Sequence, residues 1–63
     1  MLNILKLKKF ILESLGMTIT SFMTALGYQN RTWYYWEYQN KIPLHAMTAI
    51  KNYFISRRIE YNG

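Results

Sequence analysis

The sequence contains no cysteine, no aspartate and only one proline in its 63 residues. Without cysteine the chain has neither disulfide bonds nor thiolate ligands for a structural zinc ion. Its acidic residues number only three, with no carboxylate pair at a useful spacing and no Gly-rich loop for a phosphate. The single histidine, His45, is expected on the surface at the start of a helix. We therefore expect no enzymatic activity, no metal site, no cofactor and no small-molecule ligand.

A long apolar run is also missing. Lys6, Lys8 and Lys9 interrupt the apolar N-terminus before the hydrophobic region of a secretory signal could form. No run approaches the roughly 18 apolar residues that a membrane span requires. We expect a cytoplasmic protein. A basic amphipathic first helix lying on a membrane surface is an alternative, but the remainder of the chain has the pattern of a globular helical domain.

Positive charge is abundant, with eight lysines and arginines giving a net charge of +5 and a pI near 9.8. This balance favours a polyanionic partner, either nucleic acid or an anionic membrane, although a basic domain that is merely soluble fits as well. The length predicts one domain, 1–63. A chain of this size buries only about 60% of its unfolded surface. Stability must therefore come from good helix packing, from dimerisation, or from both.

Hydrophobic periodicity predicts an all-α fold of four or five helices, because no five residues alternate as a strand does. Ile4, Leu7, Ile11 and Leu15 form one stripe of the first helix, and Leu5 and Leu12 widen it. The first two predicted helices are 4–15, capped by Asn3, and 19–26, capped by Thr18. The third is capped by Gln29 or, more favourably, by Asn30, and it ends at residue 39 or 40. The fourth is 44–54, directly after Pro43. Residues 55–61 extend the last helix or form a short fifth one.

The densest aromatic segment, 27–43, begins at Gly27 and ends at Pro43. At 100° per residue, Trp33 and Trp36 fall on one side of its helix with Glu37. The opposite side carries the residues that we call the Arg/Tyr face: Arg31, Tyr34, Tyr35 and Tyr38. Our hypothesis is that the two indoles pack on the core while the Arg/Tyr face enters the major groove of DNA. An exposed aromatic cluster is alternatively typical of a protein–protein contact.

Several short motifs occur in register across 15–43: Leu15-Gly16-Met17-Thr18, Phe22-Met23, Leu26-Gly27, Trp36-Glu37 and Lys41-Ile42-Pro43. This pattern resembles the Cro/CI-type repressor domains, which implies a lambda-repressor-like bundle with a helix-turn-helix at 18–40. The run 31–37, RTWYYWE, is similar to that of the small anti-CRISPR-associated (Aca-like) transcriptional repressors. The resemblance implies a sequence-specific DNA-binding repressor that regulates its own phage or mobile-element operon.

Three positions depart from the family pattern. Ile19 replaces a glutamine whose amide contacts a phosphate in the family. Leu12 replaces an arginine that pairs with the glutamate after tryptophan, so Glu37 needs another partner, for which Lys8 and Lys9 are the candidates. Gln39 stands where the family commonly has glycine, which leaves the geometry of the following loop open.

Positional correspondence with the family implies DNA-contacting roles for most of the following residues. Tyr34 is added because it belongs to the Arg/Tyr face, and Thr20 because it lies beside the replaced glutamine. The predicted base-contacting residues are Gln29, Asn30, Arg31, Tyr34 and Tyr35. The predicted phosphate-contacting residues are Thr18, Thr20, Tyr38, Asn40 and Lys41. The chemistry agrees in part, since arginine pairs with guanine, asparagine or glutamine with adenine, and a tyrosine ring can pack on a thymine methyl group.

The C-terminal region 44–61 has more apolar side chains than we expect a single small chain to bury. We therefore predict a two-fold homodimer on an inverted-repeat operator, with an interface formed by Ile50, Tyr53, Phe54, Ile55 and Ile59. Arg57 and Arg58 would flank this interface or touch the DNA backbone. The main alternative function is a small protein-binding module, an inhibitor or antitoxin-like protein, that uses the Arg/Tyr face.

Overall fold

A computed structural model describes residues 3–61, and within this range the regular secondary structure is all helical, without a strand. The all-α prediction is confirmed. The elements are α1 (Ile4–Lys9), a π-helical segment (Phe10–Ser14) that continues it, α2 (Ile19–Leu26), α3 (Asn30–Gln39) and α4 (Leu44–Ser56). The described part of the chain has a radius of gyration of 10.6 Å and extents of 28 × 23 × 20 Å.

Helix α1 begins as predicted at Asn3, whose side-chain oxygen accepts the backbone N–H groups of Leu5 and Lys6 at 3.0 and 3.1 Å. The predicted stripe is narrower than expected. Leu5 and Leu12 do not widen it, because they are 65% and 45% exposed. No second layer covers that flank of the helix among the described residues, so only the centre of the stripe is buried.

The first helix does not continue as a regular α-helix to residue 15. Its last turn is π-helical, with the Leu15 N–H donating to the Phe10 carbonyl at 3.1 Å. Gly16 ends it in the left-handed region, at φ 62°. In this turn the Phe10 ring lies 5.8 Å from the Phe54 ring, which ties the first helix to the last.

Helices α2 and α3 are joined by a three-residue turn, Gly27 to Gln29. Thr18 caps α2 as predicted, with its hydroxyl accepting the Ser21 N–H at 3.1 Å. Gly27 has φ 86°, and its N–H and that of Tyr28 return to carbonyls of the last turn of α2. The cap of α3 is Gln29, with no side-chain hydrogen bond, and Asn30 is the first helical residue. The preference for Asn30 as cap was therefore wrong.

Helix α3 ends at Asn40, which is left-handed at φ 54°, so asparagine takes the conformation for which glycine is common. The loop then buries Ile42 to 2% exposure, and extended Pro43 directly precedes α4. Helix α4 buries Ala46, Ile50 and Phe54 along one side. It continues two residues beyond the predicted end at 54.

The chain after Ser56 turns back instead of forming a fifth helix within the described residues. Arg58 is left-handed at φ 55°, and the Ile59 N–H donates to the Phe54 carbonyl at 2.8 Å. The turn carries Tyr61 onto the first helix, where its ring centroid lies 4.6 Å from that of Phe10. The C-terminal tail thus covers the end of the core.

The core contains side chains from all four helices, and among residues 3–61 no buried residue is polar. Its buried members are Ile4, Leu7, Ile11, Ile19, Phe22, Met23, Trp33, Trp36, Ile42, Ala46, Ile50 and Phe54. Aromatic rings meet at its centre, with Phe22 edge-on to Trp33 at 6.5 Å. Within the described range, the helices are too short and too polar for any of them to cross a membrane.

Candidate nucleic-acid interface

The inner side of α3 holds the helix on the core through two indoles. Trp33 is fully buried and Trp36 is 4% exposed, with ring centroids 5.8 Å apart. Phe22 of α2 packs on Trp33, and Tyr28 of the turn packs edge-on against Trp36 at 5.5 Å. The prediction that both tryptophans belong to the core is confirmed. They fix which side of α3 points outward.

The outer side of α3 is the Arg/Tyr face, and its side chains are accessible. Tyr34, Tyr35 and Tyr38 are 53%, 62% and 91% exposed, and Arg31 is exposed as well. These four residues line one shallow groove of about 420 Å³. The face therefore combines a guanidinium, three phenol hydroxyls and the apolar surfaces of three rings.

Glu37 is the only acidic residue of α3, and it does not lie on the Arg/Tyr face. Its carboxylate accepts a hydrogen bond from the Lys8 ammonium at 3.0 Å, in a partly exposed ion pair. The prediction of a partner at Lys8 or Lys9 is confirmed for Lys8. This pair links α3 to α1. The Arg/Tyr face itself carries no acidic residue.

Gln29 and Asn30, the other predicted base-contacting residues, lie where α3 begins. Both are exposed. The Gln29 side chain makes no capping hydrogen bond, and Asn30 is helical and not itself the cap. Their amides are accordingly accessible at the end of α3 that also carries Arg31.

The predicted phosphate-contacting residues are all exposed, and they flank the Arg/Tyr face in sequence. Thr18 and Thr20 lie at the start of α2, while Asn40 and Lys41 follow α3. The Thr18 hydroxyl is already engaged, since it caps α2 and donates to the Ser21 hydroxyl at 3.0 Å. A phosphate contact from Thr18 would require that hydroxyl to rotate, whereas Thr20 and Lys41 need no such change.

The five residues predicted to form a dimer interface differ in burial. Ile50 and Phe54 lie in the core of the single chain, at 0% and 6% exposure, because the C-terminal tail folds back over them. The premise that one chain could not bury this surface was wrong for these two residues. Tyr53 and Ile59 are partly buried, and Ile55 is 73% exposed.

Two features of the surface were not predicted from the sequence. Leu44 is 78% exposed at the start of α4, and the periodicity of that helix could have placed it outward with Ile55. The Arg57 guanidinium lies 4.7 Å from the centre of the Tyr53 ring, a cation–π contact within the C-terminal region.

No three His, Cys, Asp or Glu side chains in residues 3–61 lie close enough to hold a metal ion. Burial raises the pKa of Tyr61 above its ordinary value of 10.0, and its hydroxyl is buried without a hydrogen-bond partner.

No protein-family model matches this chain, and neither the curated proteins nor the solved structures include a significant match to it.

Proposed function

We propose that this chain is a sequence-specific, double-stranded DNA-binding transcriptional repressor of the helix-turn-helix, lambda-repressor-like kind. Two helices joined by a short turn with a left-handed Gly27 are typical of this motif. The net charge of +5 suits a polyanionic partner. In this proposal α3 lies in the major groove and α2 lies across the phosphate backbone.

The observation that carries the proposal is the division of α3 into a buried indole side and an exposed Arg/Tyr face. A helix needs one side for docking and another for base contacts, and α3 has 0% and 4% exposed tryptophans opposite tyrosines exposed by 53% or more. Arg31 can donate two hydrogen bonds to guanine O6 and N7. Lys41 and Tyr38 would then contact phosphates and set the position of α3 along the duplex.

The mechanism that we propose is steric. A homodimer binds an inverted repeat in a promoter and blocks RNA polymerase. The resemblance to small repressors favours autoregulation of a phage or mobile-element operon, including an anti-CRISPR operon. Among the predicted interface residues Ile55 is exposed, and Tyr53 and Ile59 are partly accessible for such a dimer.

The test compares DNA binding by the wild type, Arg31→Ala and Lys6→Ala, with duplexes from the protein's own promoter and scrambled duplexes of the same length. Lys6→Ala is the matched control because it removes one exposed positive charge from α1 and leaves α3 unchanged. We expect the wild type and Lys6→Ala to prefer the promoter. Arg31→Ala should lose about 1–3 kcal/mol of that preference, the worth of one bidentate base contact.

The same titrations at two salt concentrations separate DNA binding from the alternative function. Affinity for DNA should fall log-linearly with salt, since each neutralised phosphate releases counterions. Weak binding to both duplexes with equal affinity would contradict the DNA-binding proposal. The three exposed phenols then favour the protein-binding module, and the Arg/Tyr face would serve as bait for a protein partner.

A further inference from the structure

The Arg/Tyr face offers a restricted set of chemical groups to a base pair. Between Arg31 and Tyr38 its exposed side chains are one guanidinium and three phenols, with no carboxylate or amide. Cytosine presents an N4 amino donor that suits a carboxylate, and adenine presents a donor–acceptor pair that suits an amide. Guanine presents two acceptors, and thymine presents an acceptor beside a methyl group. The face therefore matches guanine and thymine better than the other two bases.

Ring surfaces make up the rest of the groove. Tyr34 and Tyr35 are 53% and 62% exposed, so half or more of each side chain is open to a ligand. A groove with these apolar walls beside Arg31 has room for a methyl group next to a hydrogen-bonded guanine. The nearby carboxylate of Glu37 is held by Lys8 and does not repel the DNA backbone.

Helical geometry sets how far apart the two recognised bases lie. Tyr34 and Tyr35 follow Arg31 by three and four residues, which corresponds to about 4.5–6 Å along the axis of α3. Successive bases on one DNA strand are about 3.4 Å apart. The base that faces these rings is therefore one or two steps from the base that faces the guanidinium.

We propose that the Arg/Tyr face recognises a half-site in which a guanine and a thymine lie within one or two base pairs of each other. Arg31 donates to guanine O6 and N7, and the thymine methyl group packs between the rings of Tyr34 and Tyr35. This proposal rests on the DNA-binding function and specifies its ligand. It makes the methyl group, and not a tyrosine hydroxyl, the source of the preference for thymine.

The experiment begins with a library of DNA duplexes whose central base pairs are randomised, from which the wild-type protein selects the duplexes that it binds. The enriched duplex is resynthesised with deoxyuridine for single thymines, which removes only the methyl group, and with 7-deazaguanine for single guanines. We expect deoxyuridine at one position of a half-site to lower affinity about fourfold, the effect of one buried methyl-sized group. 7-Deazaguanine one or two steps away should weaken binding by the wild type but have little effect on Arg31→Ala.

Variants of the two tyrosines complete the test. Tyr35→Phe keeps the ring and should still discriminate thymine from deoxyuridine, whereas the double variant Tyr34→Ala, Tyr35→Ala should bind both duplexes equally. Leu5→Ala, at a 65% exposed position on α1, is the control for general effects of removing exposed apolar surface. Circular dichroism checks that each variant is folded.

The outcomes distinguish this inference from the proposed function. If no duplex is enriched and all bind alike, DNA recognition itself is wrong. If a duplex is enriched but deoxyuridine leaves its affinity unchanged at every position, the protein reads DNA without the thymine methyl contact and the inference is overturned. Loss of thymine discrimination in Tyr35→Phe would also overturn it, because the hydroxyl would then be responsible.

Discussion

At the scale of single residues, Trp33 connects the stability of the fold with the orientation of the candidate site. It is fully buried between Phe22 and Trp36. Trp33→Ala should destabilise the fold by about 3–5 kcal/mol, because the removed indole leaves a cavity. For a chain of this length that loss is comparable with the whole free energy of unfolding, about 3–9 kcal/mol. Urea unfolding followed by far-UV circular dichroism measures the change.

The control for that substitution is Tyr35→Ala, about half a turn away on the exposed side of α3. Its ring is 62% exposed, so the change in free energy of unfolding should stay within about 0.5 kcal/mol. Equal destabilisation by the two substitutions would contradict the assignment of an inner and an outer side to this helix.

Tyr61 gives a prediction on pH dependence. Its buried hydroxyl has no partner, and desolvation raises its pKa above 10.0. Below pH 10 the phenol is protonated in both states, but above it the unfolded chain ionises first, so the folded state loses stability as pH rises. Tyr61→Phe removes this loss. We expect equal or greater stability at neutral pH, by up to about 1 kcal/mol, and a growing advantage over the wild type above pH 10.

Thermal unfolding of the two proteins between neutral pH and pH 11 measures this difference. Comparison with the wild type cancels the contributions of the other titratable groups, which the two proteins share. A Tyr61→Phe protein that is less stable at neutral pH would indicate that the hydroxyl has a polar partner in solution.

At the scale of elements, the turn between α2 and α3 depends on the left-handed backbone of Gly27. A Cβ atom added there would meet nothing within 4 Å, so an L-alanine is opposed only by its backbone conformation at φ 86°. Gly27→Ala should cost about 1–2 kcal/mol. A chemically synthesised chain with D-alanine at this position should be stabilised by about 0.4–1 kcal/mol, because it restricts the unfolded chain without strain.

Chemical denaturation of the two alanine proteins tests the role of the turn. Gly16, with φ 62° and equally open space, provides a matched pair of substitutions outside the turn. The substitutions at Gly16 and Gly27 should change the free energy of unfolding by similar amounts. Under conditions in which each variant is fully folded, neither should change the affinity for DNA. Identical stabilities for the L- and D-alanine chains would mean that the left-handed geometry is not required.

The elements also show what periodicity could and could not predict. The sides of α3 followed from 3.6-residue geometry, because two indoles three residues apart must share a side. The Lys8–Glu37 pair followed from the family resemblance, in which this glutamate pairs with a cation of the first helix, and not from periodicity. Periodicity gave no width for the stripe of α1, so Leu5 and Leu12 were placed wrongly. Nor did any local pattern indicate the π-helical turn, which involves the packing of Phe10 against α4 and the tail.

The C-terminal tail is a similar case at longer range. The return of Tyr61 to Phe10 joins residues 51 positions apart, and neither has a sequence pattern that specifies the other. Because this contact was not predicted, the apolar residues of α4 looked unpartnered from the sequence. The candidate site was easier to predict, since its four side chains lie within two turns of one helix and need no long-range contact to come together.

At the scale of the whole molecule, size and symmetry lead to the last prediction. The protomer extends 28 Å at most among the described residues. The half-sites of an inverted repeat lie about 34 Å apart on DNA, so under the proposed function one chain would cover one half-site and two copies would be needed for both. Ile55 is 73% exposed and Leu44 is 78% exposed, and they lie eleven residues apart on one side of α4. They are the large apolar side chains of α4 that stay exposed after the core has formed.

We expect light scattering to show a dimer at micromolar concentrations and Ile55→Glu to shift it to monomer, because a carboxylate would be buried in the interface without a partner. Leu5→Glu, at the 65% exposed position on α1, should leave the dimer intact. The affinity of Ile55→Glu for a duplex with a single half-site should equal that of the wild type. Its affinity should not increase, as that of the wild type should, when a second half-site is added. A wild-type protein that is monomeric in solution and also when bound to an inverted repeat would contradict the dimer. Recognition by α3 would then be tested by binding to a single half-site.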